Sequence, residues 1–405
     1  MKILLTTDWY APTINGVVAS VLNLRRELML RGHEVRVLTL SQTTHSYQLG
    51  GVTYIGSIGA GKVYPGARIK TAFSSRLVQN LVEWHPDIIH SQCEFSTFMI
   101  ARRIAKKLDI PIVHTYHTVY EDYTHYFSPS KRWGRRMVAS LTRWIIRQTD
   151  CVIAPTEKVR TLLLGYGIDR EIRVIPTGID LSRFTETPRP AKLLAIKNKL
   201  DIPEENLIML FVGRLAKEKN LEELLRYYAK RPAEKLTFLI VGDGPHRGAL
   251  EHLAADLGIG DSVRFTGMIS PEHIGAYYHL GDIFVSASVS ETQGLTYVEA
   301  MASGLPILCH RDKSLDGVIV EGKNGWLYEN EQEFFAKLDL FLSSKELRQT
   351  MGRNAAEITR QMFSAAAFAE KVEGVYFQVL CGNEENKTMS CPAEISQQRA
   401  FPDDF

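Results

Sequence analysis

Short apolar runs alternate along this chain with stretches whose apolar residues recur at helical spacing. Residues 2–7, KILLTT, read as a short buried strand, and in 17–31 Val17, Val21, Leu24 and Leu28 fall on one helical face. Gly32 closes that helix and a strand returns over 35–40. The same rhythm predicts strands at 88–91, 112–117 and 151–154, with helices at 98–108 and 131–148. Strands buried on both faces carry continuous apolar runs, and βαβ alternation builds a parallel sheet covered by helices on both sides. PTGIDLSRF, residues 176–184, is punctuated by Pro176 and Gly178 and reads as a connection. A second series follows, with strands at 208–212, 238–241, 263–265 and 283–286 and helices at 221–228 and 246–257. The pattern predicts an α/β protein of two successive doubly wound sheets. In such sheets ligands bind beyond the carboxyl ends of the strands, so two facing sheets would share a cleft. From Cys381 the chain turns polar and aperiodic, and 381–405 is expected to be a flexible tail without a chemical role.

At 405 residues the chain exceeds one ordinary core, and its 45% hydrophobic and 23% charged residues are those of a globular protein. No apolar run approaches the length of a membrane span, and Thr6, Thr7 and Asp8 end the apolar opening too soon for a signal peptide. Cys93, Cys151, Cys309, Cys381 and Cys391 show no metal-ligand spacing and are few for a disulfide scaffold, which predicts reduced thiols in a cytoplasmic protein. The net charge of +2 conceals an asymmetry. Up to residue 180 there are 23 Lys and Arg against 14 Asp and Glu; beyond it, 25 against 32. The basic half is expected to face something anionic, with nucleic acid and a membrane surface both open on charge alone.

The strongest chemical signal is ETQGLTYVEAMASGLP, residues 291–306. Gly294 precedes a predicted helix over 295–302, where free N–H groups and positive dipole suit a phosphate. Glu291 lies before the helix and Glu299 about one turn inside it. A glycosidase pair must flank one bond from opposing walls. These two acids share one short segment, so they fit hydroxyls of a single ligand better. VGRLAKEKN, 212–220, places Arg214 and Lys219 after a strand, where a guanidinium fork and a point charge could hold a diphosphate. VGDGP, 241–245, is too short a glycine pattern to carry a dinucleotide assignment, and Asp8–Val18 lacks the GxGxxG fingerprint of a dehydrogenase. Asn15-Gly16 there instead offers close backbone approach. His117, in YHTVYEDY, is predicted at the end of a buried strand.

KRWGRRMVASLTRWIIRQ, 131–148, speaks to partners. Trp133, Met137, Leu141 and Trp144 or Ile145 form an apolar stripe, with Lys131, Arg132, Arg135, Arg136, Arg143 and Arg147 around it. A helix of this kind suits an anionic membrane interface. No nucleic-acid-binding motif accompanies the charge, so nucleic acid is not expected as a partner.

In motif content and order, residues 1–380 resemble the family-four retaining glycosyltransferases of the GT-B fold, with two Rossmann-like domains facing across a cleft. INGVV, YHTVYEDY, APTEKVR, PTGIDLSRF and SETQGLTYVEAMASGLP are most similar to the bacterial subgroup that glucosylates diacylglycerol. The resemblance implies UDP-glucose as donor, diacylglycerol as acceptor and a peripheral position on the inner face of the cell membrane. Transferases acting on phosphatidylinositol or a soluble acceptor are the alternatives among enzymes, and a nucleotide-sugar-binding protein without catalysis is the alternative outside them. It divides the chain into a first domain over 1–180, rejoined by 363–380, and a donor domain over 181–362. It also implies the roles. Arg214 and Lys219 hold the diphosphate, the amides at Gly294 and Leu295 hold donor phosphate and sugar, Glu299 takes ribose hydroxyls and Glu291 a sugar hydroxyl. His117 contacts the donor sugar from the opposite domain and Gly16 leaves room for the substrates. With two cations at the leaving group, no essential metal or other cofactor is expected. Two departures from the wider family stand out: Gln293 replaces an aromatic residue before the glycine of the acidic motif, and Asn15-Gly16 replaces a pair of glycines.

Overall fold

The computed structural model describes residues 1–13, 15–60, 68–70, 76–117, 119, 130–231, 235–289, 291 and 293–385. The first lobe contains β1 (Lys2–Thr6), β2 (Glu34–Leu40), β3 (Tyr47–Leu49), β4 (Val52–Ile55), β5 (Ser57–Gly59), β6 (Arg68–Lys70), β7 (Ile88–Ser91), β8 (Ile112–Thr115), β9 (Cys151–Ala154) and β10 (Ile172–Val174). Eight of these form one sheet in the order β10-β9-β8-β7-β1-β2-β4-β3, while β5 and β6 pair separately. Its ladders are parallel except β3 on β4. Helices α1 (Gly16–Leu30), α2 (Arg76–Trp84), α3 (Ser96–Leu108), α4 (Lys131–Ile146) and α5 (Glu157–Gly165) accompany it.

The alternation along β1 shows why both faces need cover. Ile3 and Leu5 pack with Val21, Leu24 and Leu28 of α1, whereas Leu4 points the other way among Ile89, Ile100 and Ile104. The β3 and β5 ribbons escaped the sequence pattern because they are short and largely exposed, so burial imposes no apolar run on them.

The second lobe repeats the scheme with β11 (Leu207–Val212), β12 (Leu236–Val241), β13 (Val263–Phe265), β14 (Ile283–Ser286), β15 (Ile307–His310) and β16 (Gly325–Tyr328). All are parallel, in the order β13-β12-β11-β14-β15-β16. Its helices are α6 (Ser182–Thr185), α7 (Pro190–Lys199), α8 (Leu221–Lys230), α9 (Arg247–Asp256), α10 (Ile274–Tyr278), α11 (Leu295–Ala302), α12 (Glu331–Ser343) and α13 (Lys345–Met362). The glycines of VGDGP belong to this packing: a Cβ on Gly242 or Gly244 would lie 1.9 or 2.3 Å from the carbonyl oxygens of Gly213 and Leu215.

A last helix, α14 (Ala365–Glu385), returns to the first lobe. Ile179 in the outgoing connection donates to Phe363 and accepts from Ala365, both at 2.9 Å, so the two crossings are stitched together. There is no room beside Gly178 for a side chain, since a Cβ would sit 2.4 Å from that of Phe368. Phe368, Val372 and Tyr376 enter the first-lobe core, and the Tyr376 hydroxyl hydrogen-bonds buried His90 at 2.6 Å. Arg31 and His33 both meet Glu373 at 2.6 Å. The helix continues to Glu385, which corrects the expected start of the tail at Cys381; residues 386–405 lie outside the described residues. The last five residues, 381–385, need no apolar face when the preceding turns are already anchored.

In each sheet the chain winds away in both directions from a central strand. The resulting switch points fall between β1 and β7 in the first lobe and between β11 and β14 in the second. Every sequence-predicted site residue follows one of these four strands or β8.

Candidate active site

On the second lobe, Arg214 and Lys219 follow β11, and Glu291 follows its neighbour β14. Parallel pairing therefore brings residues 72 positions apart together: Lys219 Nζ donates to Glu291 Oε1 at 2.5 Å. Lys219 ends a short 3-10 turn that Asn220 closes in the left-handed region at φ 50°. The Arg214 guanidinium is exposed and makes no hydrogen bond or ion pair with another described residue. Sequence reasoning expected both cations on a ligand; here Lys219 is held by Glu291 and Arg214 is left available.

Gly294 adopts φ 72°, ψ 61°, a conformation that needs glycine, and a Cβ there would come within 2.7 Å of the Tyr297 ring. It opens α11 without offering a side-chain cap, so the first-turn N–H groups at Leu295 and beyond face outward from the helix start. Glu299 accepts from the Tyr278 hydroxyl at 2.6 Å through Oε2. The residue keeps an exposed edge, yet burial dominates its carboxyl and pushes it up to about 7, against smaller opposing effects of that hydrogen bond and of Arg183.

The first lobe supplies the facing wall. Asn15 caps α1 by accepting from Val18 N at 2.8 Å, and Gly16 starts the helix. A Cβ on Gly16 would lie 3.4 Å from Leu295 Cδ1, which puts this turn directly against the start of α11. Asp8, at the end of β1, accepts from Ser96 N and Thr97 N at 3.1 and 2.8 Å and so holds the start of α3 from outside the helix. His117, beyond β8, hydrogen-bonds Gln92 Oε1 through Nε2 at 2.7 Å. Because an amide oxygen only accepts, the proton is on Nε2. Burial, reinforced by His114, depresses this imidazole to about 3, so it is neutral at working pH. Thr118 and 120–123 of that motif, with 124–129 after it, lie outside the described residues.

Two pairings around the site went unread in the sequence: that of the Gln293 amide with the backbone of Thr177, and that of Lys158, which reaches Asp312 from the other lobe. No local signal could have paired positions separated by 116 or 154 residues. Tyr278 likewise reads as an ordinary core aromatic until Glu299 is placed beside it.

Helix α4 has two faces rather than one. Gly134, Val138, Thr142, Ile145 and Ile146 are buried against the lobe. Trp133, Met137, Leu141 and Trp144 are 71, 47, 44 and 41% exposed, an uncovered apolar stripe. Of the two alternatives for the stripe's end the structure selects Trp144, and Ile145 belongs to the buried face because its position a residue further on rotates it into the core. Arg132, Arg135, Arg136, Arg143 and Arg147 are exposed, while the side chain of Lys131 lies outside the described residues. Arg102 of α3 lies over the Trp144 ring, 5.4 Å from its centre. Among the described residues no helix is long and apolar enough to cross a membrane.

Comparison with known proteins supplies the wider setting. The family model described as Glycosyltransferase Family 4 matches residues 14–183, and that described as Glycosyl transferases group 1 matches 194–358. An alpha-monoglucosyldiacylglycerol synthase of Streptococcus pneumoniae is 35% identical over 98% of this chain and 90% of its own length. Its counterpart in Acholeplasma laidlawii is 31% identical over 95% and 99%. Among solved structures, a sucrose-phosphate synthase from Thermosynechococcus elongatus superposes with a TM-score of 0.70 at 22% identity, over 94% of this chain and 99% of the other. HepE of Anabaena, solved with UDP, gives 0.71 at 18% identity over 93% and 100%.

Proposed function

The chain belongs to glycosyltransferase family 4 and has the two Rossmann-like lobes of the GT-B fold, and we propose that it transfers glucose from UDP-glucose to the free hydroxyl of diacylglycerol with retention of configuration. Two relatives above 30% identity over nearly the whole chain are synthases of an alpha-glucosyl diacylglycerol. UDP-glucose is itself α-linked, so an α product means retention.

The observation that carries the lipid acceptor is the uncovered stripe Trp133, Met137, Leu141 and Trp144, set between arginines on α4. Aromatic and aliphatic side chains gain by entering the acyl boundary, and the guanidinium groups gain from anionic headgroups. This would hold the enzyme peripherally on the inner face of the cell membrane, with its cleft near an acceptor that never leaves the bilayer.

In the cleft, Arg214 and Lys219 would hold the diphosphate and stabilise the negative charge that grows as it departs. The amides of Gly294 and Leu295 add dipole at the same place. Glu299 would take ribose hydroxyls and Glu291 a hydroxyl of the glucose, with Lys219 positioned by that carboxylate. Neutral His117 would contact the sugar without opposing the positive charge developing at the anomeric carbon, and Gly16 leaves space between donor and acceptor. The departing phosphate oxygen would take the acceptor's proton on the face from which it leaves. Two protein cations would do the work often given to a metal, so chelator should leave activity intact.

The test is transfer from radiolabelled UDP-glucose to diacylglycerol in mixed micelles, with the anomer of the product assigned by NMR. Lipid-extractable label in an α-glucosyl lipid, unaffected by chelator, is expected. Label appearing only in a soluble sugar would remove the lipid acceptor and leave the family's chemistry standing.

A further inference from the structure

The segment between β14 and α11, which carries Glu291, is held from outside its own lobe at two points. Lys158, in the first turn of α5, reaches across from the first lobe. Its Nζ donates to both carboxylate oxygens of Asp312 at 3.0 Å and to the backbone carbonyl of Glu291 at 3.0 Å, with that of Val289 at 3.4 Å. Asp312 is itself nearly buried and accepts from Ser314 N at 2.7 Å. On the other side of Glu291, the Gln293 amide accepts from Thr177 N at 2.8 Å and donates to Thr177 O at 3.0 Å. Thr177 belongs to the connection between lobes. The backbone that presents Glu291 to Lys219 is therefore set by groups the second lobe does not contain.

We propose that Lys158 is a positioning residue for glycosyl transfer, a latch that fixes the Glu291 backbone only when the two lobes are together. The proposal rests on the reading of Glu291 as a donor-binding group. An ammonium has three protons, and here oxygens of one carboxylate and two carbonyls receive them, all of them on the opposite lobe. Without it, Asp312 is left as a largely buried carboxylate lacking its counter-ion, and the two carbonyls lose a donor. Contacts made only between lobes favour the closed arrangement over the open one, which is how a residue remote from the reacting atoms acts on turnover. The same chemistry explains Gln293: an amide can pair with both backbone groups of Thr177, and a side chain without polar atoms could pair with neither.

The experiment compares Lys158→Met, Asp312→Asn, their combination and Glu291→Gln. Measured for each are kcat, donor KM, melting temperature and, without any ligand, the radius of gyration by small-angle scattering. Lys158→Met is expected to lower kcat by about thirtyfold while donor KM changes little, and any fall in its melting temperature should be relieved when Asp312→Asn removes the stranded carboxylate. Asp312→Asn should match it, and the combination should be no worse than the poorer single variant. The ligand-free radius should grow in Lys158→Met and not in Glu291→Gln. Wild-type kcat in Lys158→Met, additive losses in the combination, or an unchanged ligand-free radius would each overturn the latch. Normal turnover in Glu291→Gln beside a slow, expanded Lys158→Met would instead retire the reading of Glu291 and keep the closure.

Discussion

At the carboxyl end of the first-lobe sheet, His117 and Gln92 meet as two neutral groups, the imidazole depressed to about 3 by burial. At the corresponding end of the second-lobe sheet, Lys219 and Glu291 meet as ions, with Arg214 exposed on the same strand end. Both places are built by one topology, a switch point in an open parallel sheet, so the fold does not decide which carries charge. Residue type and burial decide it together. Gln92 is an amide without charge and burial holds His117 neutral, whereas Lys219 and Arg214 follow β11 with part of each side chain open. A cleft with one charged wall and one neutral wall suits a reaction in which a diphosphate gains charge on one side and a sugar carbon turns positive beside the other.

The largest effect should come from the charged wall. Arg214→Ala is expected to lower kcat by roughly a hundredfold, about 3 kcal/mol of barrier, because nothing else described is free to replace that fork. Near-normal turnover in steady-state assays would mean that the leaving group's charge is met elsewhere.

The lobes also differ in their outer surfaces, and the next effect tests that. Trp133→Ser with Met137→Ser removes two of the most exposed apolar groups on α4, and partitioning to anionic vesicles should fall by about thirtyfold, about 2 kcal/mol. UDP affinity in solution should be unchanged. Vesicle binding that survives in a flotation assay would assign membrane contact to another surface.

The smallest expected effect is a pH dependence within the charged wall. Glu299 is raised from an ordinary 4.5 to about 7, so the folded protein holds its proton longer than the unfolded chain. Its contribution to stability is fully present below pH 4.5 and is lost as pH rises through 7. Donor binding runs the other way, since only the carboxylate can accept two ribose hydroxyls. UDP should bind about fivefold tighter at pH 8 than at pH 6 by calorimetry, with Glu299→Gln flattening the difference. A flat wild-type profile would take the ribose away from Glu299.

Much of this was readable in one dimension because burial imprints a pattern. Strands such as Cys151–Ala154 and Ile283–Ser286 are buried at every residue, so each had to be an apolar or small-residue run bounded by turns. The helix at Leu295–Ala302 declared its own ends, with Gly294 before it and Gly304 after. The exposed ribbon at Tyr47–Leu49 carries no such imprint and was missed for that reason.

Residue types and local spacing therefore settled most of the two βαβ series (though not the largely buried β4, β15 and β16), the glycine before α11 and the presence of acids, cations and a histidine at strand ends. They also marked α4 as half apolar and half basic, but not which of its apolar residues faced water: Ile145 and Trp144 are neighbours in the chain and opposites in burial. Only the folded chain brought Lys219 to Glu291, Tyr278 to Glu299, Lys158 to Asp312 and Gln293 to Thr177. The reason is physical. Periodicity records which side of an element is buried, a local property repeated at every turn. Pairing across a sheet or between lobes depends on strand order and lobe placement, which no residue encodes by itself.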